Sequence, residues 1–478
     1  MTTTILTSIF LLAAEATASR VVTHKLHRKA GLQRSSASAN KVLDTPLDFR
    51  NDWINAGGYF ITLEAGTPPQ SFELLADTGS SDLFVPSAEA ANCKLGLCAG
   101  GTFEAADSSS YSVVSGAPEF SITYADGSIV EGEYSSDTVS VEGVTLSNIT
   151  FSVAEGIQVS PWLTDDNGNP TGPQYGIMGL NVLAGQSASN FTYATVPLAL
   201  KQQGYTDSWS YSLYLDDIES DDGQIIFGGI DTAKYHGELT TLQVDPSLGE
   251  QKVIGVSTSP VSHLSVTLIS PPQDGFALSH DGETKQITGI PPYYALLDSG
   301  RAGLDVPQSV FNQLGLYFAD WANAIVEYNG ERLLPCSFKN RDASLTIGLA
   351  DGQGATVPVE VPLGNALVPA LTSESTGNYN DTQPLVLNGT EQCIFTVYPK
   401  ANNLTGFTLG DPFFRSAYLF FNLDESTISV GQASYDAEGS NLVPVGSGST
   451  GGSGNSSSTY PTGSGSNSSL PSYTGAGG

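Results

Sequence analysis

Two short strings of the 478-residue chain set an aspartate in the same surroundings: Leu74-Leu75-Ala76-Asp77-Thr78-Gly79 and Ala295-Leu296-Leu297-Asp298-Ser299-Gly300. Two carboxyl groups that share one proton can act as acid and base together. Held about 3 Å apart they cannot both ionise comfortably, so one pKa rises and the other falls. The ionised member takes a proton from water, and the protonated member gives one to a carbonyl oxygen. Together these steps hydrolyse a peptide bond without a covalent intermediate. The pKa values belong to the pair, so the sequence assigns neither Asp77 nor Asp298 a fixed role. The neighbours suit this task. Gly79 and Gly300 allow a tight backbone turn whose amide can donate to a carboxylate. The Thr78 and Ser299 hydroxyls can tie the two loops together beneath the site, and Ser80 adds a hydroxyl on the first side. A lone Asp-Thr-Gly is an ordinary turn; the longer string Asp77-Thr78-Gly79-Ser80-Ser81-Asp82-Leu83-Phe84-Val85-Pro86 makes that reading improbable.

The elements that must carry these aspartates repeat. Ile177-Met178-Gly179-Leu180 places an apolar-Gly step 102 residues after Asp77, and Thr408-Leu409-Gly410-Asp411 places another 112 residues after Asp298. Two weak matches at similar separations imply two lobes of one architecture, each delivering one Asp to a shared centre. Tyr59 to Glu64 reads as a strand, Gly66-Thr67-Pro68-Pro69 as a turn and Phe72 to Ala76 as a second strand that ends at Asp77. Only brief helices are signalled. One covers Val196 to Gln203, with Pro197 near its start and Gly204 as its stop, and another runs after Pro307 through Val310 to Leu314. Charged residues make up only 14% of the chain, and runs rich in Val, Thr and Tyr are broken by Gly, Pro and Asn, which predicts an all-β protein.

The net charge of −31 argues against binding nucleic acid, whose phosphates it would repel. It suits solubility in an acidic medium, and equally a generally acidic secreted surface. Ile5 to Ala14 is a short apolar run followed by small residues at Ala16-Thr17-Ala18, which reads as a signal peptide over 1–18, although no early positive charge precedes it. Residues 19–43 then hold six Lys or Arg and no acid, leading a body of opposite charge. This is expected to be a basic pro-segment, 19–47, whose cations dock on the acidic body and cover its cleft. Cys93, Cys98, Cys336 and Cys393 form an even set in an exported chain and predict two disulfides, one pinning a short loop and one closing a long one. A metal site is not expected from their spacing, and no cofactor is signalled. Asn148, Asn190, Asn380, Asn388, Asn403, Asn455 and Asn467 are glycosylation candidates. No run is apolar for long enough to span a membrane as a helix. The Gly/Ser/Thr-rich end, 438–478, is expected to be disordered, at least from about Gly446, and to serve as a stalk. A glycosylphosphatidylinositol anchor requires an apolar tail that Gly475-Ala476-Gly477-Gly478 does not supply, so either there is no anchor or the tail lies beyond this sequence.

From Tyr59 to about Ala433 the chain resembles the pepsin-like aspartic proteases, and among them the secreted or cell-surface fungal enzymes of the yapsin type. The resemblance rests on both Asp motifs, both apolar-Gly steps, the Cys93–Cys98 loop and Ile122-Thr123-Tyr124-Ala125-Asp126-Gly127-Ser128. The last string is similar to the family's flap, a hairpin that closes over substrate. It implies that Tyr124, Asp126, Gly127 and Ser128 contact the peptide. The resemblance implies a bilobal fold with two related β-barrel-like lobes, 48–244 and 245–437, and a cleft between them. It also implies an acid-active endopeptidase, secreted or held at the cell surface or wall, that takes extended peptides or proteins and works as a monomer. Three residues depart from the pattern. Phe84 stands where the family has Trp and cannot donate to the flap tyrosine. Ala125 stands where a flap Gly is usual. Arg301 stands where a Thr or Ser would hydrogen-bond Asp298. Arg301 either lies beside the dyad and favours its ionised form, points into a substrate pocket, or is a solvated surface residue. Because an unpaired Arg beside the dyad would be costly, the pocket is the expected place. Arg301 is also the one feature that favours a rival reading, a binding or inhibitor protein that keeps the fold without the activity. A structural cell-wall glycoprotein would account for the tail and sequons and leave the repeat unexplained.

Overall fold

A computed structural model describes residues 22–29, 58–159, 164, 174–188, 190–218, 220, 222–244, 265–268, 275–290, 293–328, 330–350, 355–373, 382–401, 406–446 and 460–464. Strands dominate and helices are few and short, as the composition predicts. Gly58–Ala65 and Gln70–Asp77 pair as an antiparallel hairpin, joined by residues 66–69, so the alternation of Phe72, Leu74 and Ala76 into the core ends with Asp77 at the loop.

The internal repeat is a repeat of topology. In the first half, strand Gly176–Gly179 runs parallel to Gln70–Asp77, with Asp77 opposite Gly179, and Leu83–Pro86 returns antiparallel on its other side. In the second half, Gly406–Leu409 runs parallel to Tyr293–Leu297, with Leu297 opposite Leu409, and Leu304 returns antiparallel to Leu409. Outer parallel partners complete each unit: Leu83–Pro86 pairs with Val144–Gln158, and Leu304–Pro307 pairs with Val397–Lys400. Each aspartate therefore sits on a loop framed by two strands of its own half. The glycine of each apolar-Gly step lets that loop pass close by. A Cβ on Gly179 would lie 2.5 Å from the Asp82 nitrogen, and one on Gly410 would overlap the Arg301 and Gly303 carbonyl oxygens.

The two halves share one sheet. Ser210–Tyr214 pairs with Ala417–Asn422, which pairs with Thr427–Ala433, which in turn pairs with Tyr235–Gln243. On the other side Ser210–Tyr214 pairs with Asp222–Phe227. The basic leader enters here. Its Val22–Lys29 stretch is a strand between Asp222–Phe227 and Gly58–Ala65, held by backbone pairing. That part of the leader belongs to the shared sheet; the remainder of 19–47, on which the expected covering of the cleft falls, and the signal segment lie outside the described residues.

Both helices occur where expected. Val196–Gln202 has Pro197 in its first turn and stops at Gly204, whose φ is +77°, and Gln308–Tyr317 follows Pro307 and runs three residues past Leu314. Both disulfides form: Cys93–Cys98 across five residues, and Cys336–Cys393 across 57, tying the start of the short helix Cys336–Asn340 to the strand Thr390–Phe395 of the second half. Asn148, Asn190 and Asn388 are exposed; Asn380, Asn403, Asn455 and Asn467 lie outside the described residues. The tail departs from expectation. Leu442–Pro444 pairs with Gly229–Asp231, and Gly463–Ser464 pairs with His236–Gly237. The reason is Tyr460, an aromatic residue within the Ser/Gly run, whose ring meets Phe420 at 5.1 Å and brings the chain back to the sheet edge.

Candidate active site

The two aspartate loops meet face to face. Thr78 N–H donates to Ser299 Oγ (3.1 Å) and Ser299 N–H donates to Thr78 Oγ1 (3.0 Å). Each hydroxyl then donates across to the other half, Thr78 to the Leu297 carbonyl (2.8 Å) and Ser299 to the Ala76 carbonyl (2.6 Å). All four bonds are buried and cross between the halves, so the loops are fixed to each other more firmly than to solvent. The glycines face the opposite aspartates. A Cβ on Gly79 would lie 2.5 Å from Asp298 Oδ1, and one on Gly300 would lie 2.6 Å from Asp77 Oδ1. Only a residue without a side chain allows the two carboxyls to come this close.

The carboxyls hydrogen-bond each other. Beyond that bond their surroundings differ. Asp77 accepts from Gly79 N–H (2.8 Å) and, through a very short bond, from the Ser80 hydroxyl. Asp298 accepts from Gly300 N–H (2.9 Å), and no hydroxyl faces it, because Arg301 occupies the position matching Ser80. Burial in the cleft floor and the neighbouring Asp77 charge push the Asp298 pKa well above the ordinary aspartate value, although part of its surface still faces the cleft. Asp77 has two hydrogen-bond donors and Asp298 one besides the facing carboxyl, and the raised Asp298 pKa draws the shared proton towards Asp298.

Arg301 does not lie unpaired beside the dyad. It donates from Nη2 to Asp305 Oδ1 at 2.7 Å, and its guanidinium sits over the Tyr398 ring, 5.4 Å from the centroid. It still lowers the Asp298 pKa, as the weakest of the influences on that group. The support that Arg301 lent to an inactive protein is removed by this pairing.

The expected flap is a hairpin of Glu119–Thr123 and the start of Ile129–Val141. Its tip is closed by Tyr124 N–H to the Ser128 carbonyl (2.9 Å) and Gly127 N–H to the Tyr124 carbonyl (3.0 Å). Asp126 accepts from the Ser128 N–H and hydroxyl. Gly127 has φ +87°, which a side chain would strain. The exposed methyl of Ala125 sits at the tip without disturbing the hairpin. Tyr124 packs against Phe84, with centroids 6.4 Å apart, and its hydroxyl is buried without a hydrogen-bond partner among the described residues. That is the consequence of Phe84 having no N–H to offer. Burial and the nearby Asp77 charge raise the Tyr124 pKa well above the ordinary tyrosine value. A buried hydroxyl without a partner costs stability and adds none. Tyr124→Phe is therefore expected to change kcat/KM by less than about threefold, while Tyr124→Ala, which removes the ring itself, should cost far more. A large loss on Tyr124→Phe, measured with one peptide at one pH, would show that the hydroxyl has a partner in the bound state.

Sequence reading gave no role to Asp82, which proves to anchor the first loop. It is fully buried and accepts from Ser187 N–H (2.7 Å), Tyr193 hydroxyl (2.8 Å) and Tyr134 hydroxyl (3.5 Å), and burial raises its pKa. Asn181 supports the same loop by donating to the Thr78 carbonyl (3.0 Å). The second loop has a different support: fully buried Arg415 holds Asp411 (3.3 Å), Tyr59 hydroxyl (3.0 Å) and the Asn365 carbonyl (2.7 Å). The signal for both was a charged residue beside an apolar-Gly or Asp-Gly motif, where a core partner is required. No group of three or more His, Cys, Asp or Glu among the described residues is arranged to hold a metal ion. No helix among them is long and apolar enough to cross a membrane.

Comparison with known proteins agrees with this geometry. The sequence model of the eukaryotic aspartyl protease family matches residues 58–433. The chain is 30% identical over 439 residues to the probable aspartic-type endopeptidase OPSB of Arthroderma benhamiae, covering 89% of this chain and 77% of that protein. It is 30% identical to the acid protease of Saccharomycopsis fibuligera, covering 79% of this chain and 81% of that protein. It is 28% identical to the aspartic proteinase yapsin-3 of Saccharomyces cerevisiae, covering 81% and 68%.

Proposed function

Because this chain belongs to the eukaryotic aspartyl protease family, we propose that Asp77 and Asp298 are its catalytic pair and that it hydrolyses internal peptide bonds of extended chains in acid. The observation that carries this reading is the seating of each aspartate against the glycine of the other loop, with four buried hydrogen bonds tying the two loops together. A peptide lies between the flap and the dyad, with its scissile carbonyl facing Asp298. Ionised Asp77 accepts a proton from a water as that water's oxygen bonds to the carbonyl carbon. Asp298 gives its proton to the carbonyl oxygen, forming a tetrahedral diol. Proton transfer to the amide nitrogen then lets the C–N bond break, releasing a carboxylic acid and an amine, and the pair returns with one proton between them.

The leader, the two disulfides and the exposed sequons support an exported enzyme, with 1–18 as its signal and 19–47 as a segment removed on activation. We place its lobes at 48–244 and 245–437, expect a monomer, and expect it in the medium or at the cell surface. The test is incubation of the purified, leader-free protein with an acid-unfolded protein. Internal fragments that accumulate in acid and not at alkaline pH are expected. An intact substrate at every pH would overturn the reading.

A further inference from the structure

The first dyad loop has a small hydroxyl after its glycine, and the second has an arginine. We propose that Arg301, with Lys400 beside it, selects an acidic side chain of the bound peptide close to the scissile bond. This rests on the peptidase reading above and specifies its substrate.

The main chain of Arg301 is pinned at both ends. Its N–H donates to the Asp298 carbonyl (3.2 Å), and its own carbonyl accepts from Asp411 N–H (2.9 Å). The side chain thus starts from a fixed point in the dyad loop, and the Tyr398 ring beneath the guanidinium sets its plane. One arm is committed to Asp305. That carboxylate is itself only 4% exposed, and Lys400 Nζ lies 3.5 Å from its other oxygen. One buried negative charge therefore serves two cations. The guanidinium Nε is buried and has no hydrogen-bond partner among the described residues, while the side chain as a whole is 36% exposed, so the exposed part of the guanidinium is what a ligand can reach. Its influence on Asp298 shows that the charge is felt at the dyad.

The other charges nearby do not absorb the excess. Arg332 pairs with Glu327 at 3.4 Å. Glu331 accepts from the Tyr398 hydroxyl (3.2 Å), and burial raises its pKa, so it loses its charge early as the medium becomes acid. A planar guanidinium with unused donors matches a carboxylate better than any neutral side chain does. A lysine or arginine of the peptide would meet like charge at the same place. The local field thus opposes the basic preference that a chain of net charge −31 would predict.

The test uses peptides in matched pairs that differ by Glu against Gln at a single position within three residues of the cleaved bond. They are assayed at about pH 5.5, above the ordinary Glu pKa. The wild-type protein is expected to favour Glu at one of these positions by about tenfold in kcat/KM. In Arg301→Thr that ratio should fall to within about twofold of unity, and Arg301→Lys should retain part of it. The ratio is taken within one enzyme preparation, so partial misfolding cancels. The wild-type comparison needs no variant. Equal cleavage of Glu and Gln peptides at every position, or a Glu preference that survives Arg301→Thr, would overturn the proposal. If none of the peptides is cleaved, the peptidase reading falls and the proposal with it.

Discussion

Asp77→Asn and Asp298→Asn are each expected to lower kcat/KM by about a thousandfold or more, with little change in folding. Asparagine keeps the shape of each side chain and can still accept from the Gly79 or Gly300 amide. It cannot carry the shared proton. The two substitutions should differ in their effect on stability at neutral pH. The raised Asp298 pKa means that charging this group opposes the folded state. Its favourable contribution is complete below the ordinary aspartate pKa and is lost as pH rises through the folded value. Asp298→Asn removes that penalty, so thermal unfolding at pH 7 should be unchanged or shifted upward. Activity within tenfold of wild type in either purified variant would rule out the two-carboxylate mechanism.

The second large effect concerns Arg415, the largest fully buried side chain. It joins Asp411 of the second apolar-Gly step to Tyr59 of the first half and to Asn365, so removing it takes one partner from each of three groups in the core. Arg415→Met should destabilise by about 3–5 kcal/mol, the cost of removing one member of a buried ion pair. Adding Asp411→Leu to that variant should recover part of the loss, because the stranded charge is gone. Guanidinium unfolding of the single and double variants checks both statements. A double variant no more stable than Arg415→Met would mean that packing, rather than charge, dominates there.

Much of the site was legible because its chemistry demands particular local residues. Gly79 and Gly300 face carboxylates at distances no side chain permits, and Thr78 and Ser299 need hydroxyls to cross between loops, so these residue types mark the motif on their own. The flap was readable only through the resemblance of Ile122 to Ser128 to the family's string; the positive φ of Gly127 and the bond Asp126 accepts from Ser128 N–H are what the structure adds at its tip. What escaped was non-local. Tyr59 and Arg415 are 356 residues apart, and no periodicity links them. The Asp305 partner of Arg301 lies four residues on in a strand, a spacing that signals contact on a helix and here depends on how the loop turns. The shared sheet joins strands from both ends of the chain, including the leader, and backbone pairing of that kind leaves little trace in residue type. Tyr460 was overlooked because composition averages a tail, while one aromatic side chain is enough to seat it.

The central claim is that Asp77 and Asp298 hold one proton between them. The most direct measurement is the pH dependence of kcat/KM on a peptide with no group that titrates across the range. A bell in the acid region is predicted, with its acid limb set by ionisation of the pair. Its alkaline limb should lie above the ordinary aspartate value of 3.8, where the proton held at Asp298 is lost. A rate that stays level from acid through neutral into alkaline solution would contradict the account.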